Sequence, residues 1–137
     1  IKDSTMMYMS CDVNKFINPK TGVESLQNYD YGSLFNTTFP MNKADRIRTF
    51  ASASSHAMTL MAVDIAADGK FNKWMVENSW GATSGYQGHL IMTDEWFDEY
   101  MFRLVVEKRF VPAATLKLFE QKPTLLPAWD PLFAGEE

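Results

Sequence analysis

A chain of 137 residues, 46% hydrophobic and 14% aromatic, can build one domain with its own core and is too apolar for a disordered tail. A net charge of −4 without any basic run longer than two residues argues against a nucleic-acid partner, and no apolar run is long enough to span a membrane. One cysteine and two histidines exclude an internal disulfide framework and leave too few ligands for a structural zinc site, so no cofactor is expected.

The chain opens at Ile1-Lys2-Asp3, without Met and without a charged-then-apolar leader, as expected of a piece cut from something longer. Residues 6–13 (MMYMSCDV) are apolar and β-compatible and predict a strand. Residues 15–39 carry Pro19, Gly22 and Gly32 among polar residues and predict a long excursion with short elements outside the core. Residues 42–52 predict a short helix, with Asn42 at the N-cap, Asp45 three residues on, and an apolar stripe of Ala44, Ile47 and Ala51. Residues 56–66 (HAMTLMAVDIA) are apolar on both faces, as in a strand buried on both sides. A turn at 67–70 returns the chain into a second strand over 71–80 (FNKWMVENSW). A glycine loop over 81–88 leads to a short strand at 89–93 and to one or two helical turns over 93–100, capped by Thr93 or Asp94. Residues 101–110 alternate well enough for a strand, and Pro112 fits the first position of a helix over 112–121. Three prolines over 122–137 predict an extended tail. The fold class is α+β: an antiparallel sheet or partial β-barrel with short peripheral helices.

The hairpin poses the chemical question, because Asn78 is out of place in a packing strand. A buried amide costs free energy unless it finds a partner. A two-residue turn at Asp68-Gly69 places Asn78 opposite Thr59 and His56 opposite Gly81, which turns His56 and Asn78 to opposite faces. A three-residue loop, Ala67-Asp68-Gly69, with Gly69 left-handed in a bulge, places Asn78 opposite Met58 and His56 opposite Trp80. His56 and Asn78 are then diagonal neighbours on one face, roughly 7–8 Å apart at Cα. Glycine suits both turns. The second is expected, because it gives Asn78 a partner. An imidazole held by an amide carbonyl has its tautomer and ring plane set without added charge, which suits a base that serves a thiolate.

"SHAMTLMAV", "WMVENSWG" and "GYQGHLIMTDEW" resemble the second half of papain-like cysteine peptidases. With "CDVNKF", "NKADR", "MTDEWFDEY" and "LPAWDP", the chain resembles the bleomycin hydrolase and aminopeptidase C branch from about residue 8 to residue 131. The resemblance implies that His56 is the catalytic imidazole, that Asn78 orients it, and that Trp80 shields their hydrogen bond. It implies a two-lobed parent of which residues 1–122 are the barrel-lobe portion and residues 123–137 a C-terminal arm. In that branch the arm enters the cleft and restricts the enzyme to trimming peptide N-termini. The tail here departs after Pro131 and ends on Glu136-Glu137. The branch is mainly cytoplasmic and often hexameric. Its nucleophilic cysteine, in a Cys-Trp motif opening a helix of the other lobe, belongs roughly 130–150 residues before the histidine. His56 leaves no room for it, and the oxyanion glutamine is also absent. The chain is therefore expected to be inactive alone.

Rival readings stand beside this one. Cys11 lies in a strand beside Asp12, whose charge disfavours a thiolate, so a structural cysteine is expected. His89 enters a strand from the glycine loop and reads as structural or solvent-facing. Trp74, Trp96 and Trp129 read as packing residues, and the acids of "TDEWFDE" as a solvated helix face. A non-catalytic binding or assembly module, or a degenerate peptidase homologue, would explain a peptidase-like pattern without a nucleophile.

Overall fold

The computed structural model describes residues 1–133. It contains seven strands, β1 (Met7–Cys11), β2 (Ile17–Asn18), β3 (Val23–Glu24), β4 (His56–Ile65), β5 (Phe71–Glu77), β6 (His89–Thr93) and β7 (Met101–Val105). Four short helices accompany them: α1 (Tyr31–Phe35), α2 (Lys43–Arg48), α3 (Asp94–Tyr100) and α4 (Ala113–Leu118). The strands form one open sheet in the order β2-β3-β6-β5-β4-β1-β7. The sheet is mixed, not wholly antiparallel, because β3 runs parallel to β6. Residues 15–39 also depart from expectation. Their short strands extend the sheet, Glu24 is fully buried, and Phe16, Ile17 and Leu26 pack on the core.

The core lies on one face of the sheet. Alternation puts Met9 and Cys11 of β1, Met58 and Leu60 of β4, Val76 of β5, and Leu90 and Met92 of β6 on that face, and all seven are buried. α3 closes it with Trp96, Phe97 and Tyr100. Thr93 caps α3 by accepting the Trp96 N–H. The Trp96 indole N–H donates to the Lys15 carbonyl at 2.6 Å, and Trp74 stacks on Phe97 with centroids 4.7 Å apart. α2 starts as expected, with the Asn42 side chain accepting the Asp45 N–H. It then fastens to the end of α3. Lys43 donates to the Asp98 and Met101 carbonyls, and Arg46 bonds to the Glu99 carboxylate. Cations near a helix C-terminus complement its dipole.

Several boundaries move. β5 ends at Glu77, so Asn78-Ser79-Trp80 lies beyond it, and β7 ends at Val105. Pro112 is the N-cap of α4 rather than its first residue. The acids of α3 are not simply solvated: Asp94 accepts the Trp74 indole N–H and Glu95 accepts from Gln27. Trp96 and Trp74 pack as expected, but Trp129 is 80% exposed. In the arm, a single helical turn at Pro131–Phe133 lies beside α2. Glu136 and Glu137 fall outside the described residues. No helix among the described residues is long and apolar enough to cross a membrane.

Candidate active site

The β4–β5 hairpin sets the geometry. Its tip is the three-residue loop: the Ala66 N–H donates to the Lys70 carbonyl at 2.8 Å, and Gly69 has φ +88°. At the other end Leu60 pairs with Val76 and Thr59 with Glu77, and that alignment continued puts Met58 opposite Asn78. Between these ends, Ala62 to Asp64 pair with Met75 to Lys73, offset by one residue. Met61 on β4 and Asn72 on β5 are the extra residues, and the two bulges cancel. The tip and the far end therefore share the bulge-loop register.

That register brings His56 and Asn78 together. His56 opens β4, held beside β1 by its pairing with Cys11 and by the Ser55 N–H donating to the Cys11 carbonyl. Asn78 follows β5, with its N–H donating to the Gly88 carbonyl at 2.9 Å. The His56 Nε2 and Asn78 Oδ1 atoms are 2.8 Å apart. The same Oδ1 accepts the Ser79 N–H at 2.8 Å. A backbone N–H can only donate, so the amide oxygen faces it, and the ring nitrogen on that oxygen must carry a proton. The neutral imidazole is thus the Nε2–H tautomer, which leaves Nδ1 with its lone pair. Trp80 stacks on the His56 ring, centroids 5.2 Å apart at 28°, and covers one of its faces. The Asn78 Nδ2 atom is sealed from solvent and makes no hydrogen bond among the described residues. Two donors fix the amide by its oxygen and leave the other end unpaired.

Cys11 sits opposite His56 in register and is fully buried. Burial pushes its thiol far above the ordinary range, and the neighbouring Glu24 and Asp12 push it further. The sequence pointed to Asp12 alone, whereas desolvation is the larger cause. A thiol so placed is a core side chain. His89 is structural: its Nδ1 lies 3.0 Å from the Gln87 carbonyl and 3.2 Å from that of Tyr86. Those acceptors staple the glycine loop. Sequence reasoning missed the buried acids. Asp12 accepts the Ser52 hydroxyl at 2.6 Å, and Glu24 lies nearby with both carboxyl oxygens unpaired among the described residues. Desolvation first, then the Asp12 charge, pushes the Glu24 pKa up to about 9. Among the described residues no group of three His, Cys, Asp or Glu is placed to hold a metal ion.

Residues 1–133 match the model of the Peptidase C1-like family. The chain belongs to that family. Human bleomycin hydrolase is 45% identical over 140 residues, which take in 100% of this chain and 31% of that relative. Aminopeptidase C of Lactococcus lactis subsp. lactis is 39% identical over 128 residues, covering 93% of this chain and 29% of the relative. Among solved structures, PepW from Lactobacillus rhamnosis HN001 superposes with a TM-score of 0.88 at 38% identity, over 97% of this chain and 30% of that one. This member of the C1-like family therefore spans about a third of the length of the relatives it matches.

Proposed function

We propose that this chain supplies the base and its orienting amide to a cysteine aminopeptidase of the bleomycin hydrolase type. The observation that carries the reading is the Nε2–H···Oδ1 bond from His56 to Asn78, which leaves Nδ1 free to take a proton. The thiol comes from a part of the parent that this chain lacks, since buried Cys11 is unfit for the role. In the parent, Nδ1 takes the thiol proton and the thiolate attacks the carbonyl of a peptide's N-terminal residue. The imidazolium then protonates the leaving amine, and the acyl-enzyme is hydrolysed by water that gives its proton to Nδ1. Trp80 limits the water that competes for the imidazole–amide bond. Phe119, Leu125 and Trp129, 80–88% exposed, fit a surface covered by the other lobe or by a neighbouring subunit of a hexamer. The compartment that fits this reading is the cytoplasm.

The test is a chimera in which this chain replaces the corresponding stretch of Lactococcus lactis aminopeptidase C. The chimera should release N-terminal residues from peptides, the His56→Ala chimera should not, and this chain alone should be inactive. Turnover by the chain alone, or a chimera indifferent to His56→Ala, would overturn the reading. The exposed apolar residues also favour a second reading, an assembly module without catalysis. Light scattering separates the two: a defined oligomer of this chain alone, together with an inactive chimera, argues for the assembly module.

A further inference from the structure

The glycine loop and the β2–β3 turn touch backbone to backbone. Gly22 is buried at φ +69°, and a Cβ added to it would lie 2.5 Å from the Gly85 Cα. Gly85 has φ +57°, and a Cβ there would lie 2.4 Å from the His89 carbonyl oxygen. Neither contact leaves room for a side chain, and both blocking atoms are backbone, with no rotamer to turn away. The Gly22 carbonyl accepts the Ile91 N–H at 2.8 Å, which pins the turn to β6.

Three residues past Gly85, the Gly88 carbonyl accepts the Asn78 N–H, while the Gly88 N–H donates to Ser84. Asn78 lies beyond the last ladder residue of β5, and this bond is what continues its backbone alignment toward the loop. We infer that Gly22 is a positioning residue for the His56–Asn78 pair: by seating against Gly85 it holds loop 81–88 where Gly88 aims the Asn78 amide at the imidazole. A bulkier residue at position 22 pushes the loop outward, carries the Gly88 carbonyl with it, and lets the amide swing from Nε2. The catalytic consequence rests on the proposed function, but the geometric claim does not, and the test reads geometry.

The experiment is NMR of the imidazole nitrogens in isotopically labelled protein. Wild type should show His56 as the Nε2–H tautomer. In Gly22→Ala, with the fold intact by circular dichroism, that signature should be lost to tautomer averaging. Gly69→Ala is the control, because Gly69 shares a positive φ but has nothing within 4 Å of an added Cβ. It should keep the signature. A folded Gly22→Ala with the wild-type tautomer overturns the proposal, as does equal loss in Gly69→Ala. If Gly22→Ala does not fold, hydrogen exchange on the wild type decides. The Asn78 amide should open together with Ile91, whose amide is bonded to Gly22. An Asn78 amide that exchanges far ahead of Ile91 overturns the proposal.

Discussion

Glu24 should make the stability of this chain fall as pH rises. The group is fully buried with no partner for its carboxyl oxygens among the described residues, and its pKa is pushed from an ordinary 4.5 up to about 9. Below the ordinary value, folded and unfolded chains both hold the proton and stability gains nothing. Between the two values the unfolded chain ionises while the folded chain stays protonated, so each pH unit favours unfolding. Above about 9 both ionise and the loss stops growing. At about 1.4 kcal/mol per pH unit, going from roughly pH 5.5 to roughly pH 7.5 costs about 2.7 kcal/mol. Glu24→Met, similar in length and unable to ionise, should lose that slope. Urea unfolding of both proteins across this range measures it, and the other titrating groups largely cancel in the difference. Parallel stability curves would show that Glu24 ionises freely in the folded chain and would refute the burial argument.

Three further outcomes follow from the packing and the site. Trp96→Ala removes the largest fully buried side chain and its bond to the Lys15 carbonyl, and should cost about 3–5 kcal/mol in denaturant unfolding. Cys11 should resist a thiol reagent in native buffer and react fully once urea unfolds the chain; fast native labelling would contradict its placement in the core. Asn78→Ala should change stability by less than about 1 kcal/mol, because losing the bond to His56 is offset by losing the sealed, unpaired Nδ2. The same variant should leave the His56 tautomers mixed by NMR and abolish most turnover in the chimera.

The two strands and the tip of the hairpin were legible from two β-compatible runs and one glycine, but its burial was not: residues 56–66 read as buried on both faces, whereas only Met58 and Leu60, on one face, are buried. The register argument reached the right partners for a reason it did not contain. It counted residues from the loop, and that count survives because one extra residue on each strand cancels the other. The parallel β3–β6 pair was illegible: it joins a two-residue strand to one more than sixty residues away, and neither carries a directional signal. Glu24 was hidden for a related reason, since an acid in a segment rich in turn residues reads as solvated until the sheet closes over it. Trp129 shows the reverse error. A tryptophan in a proline-rich tail reads as packing, yet within this chain it has little to pack against.

The paired bulges of the hairpin have a consequence for how the chain tolerates changes in length. Met61 and Asn72 are the residues by which β4 and β5 exceed a regular ladder, so either can be removed without changing any other pairing between the two strands. Insertions and deletions at these two positions are absorbed in mid-strand and need not reach the end where His56 meets Asn78. Deleting Met61 should leave the Nε2–H tautomer intact. Strand length and site alignment are then separately adjustable, and positions 61 and 72 become the places to lengthen, shorten or label the hairpin.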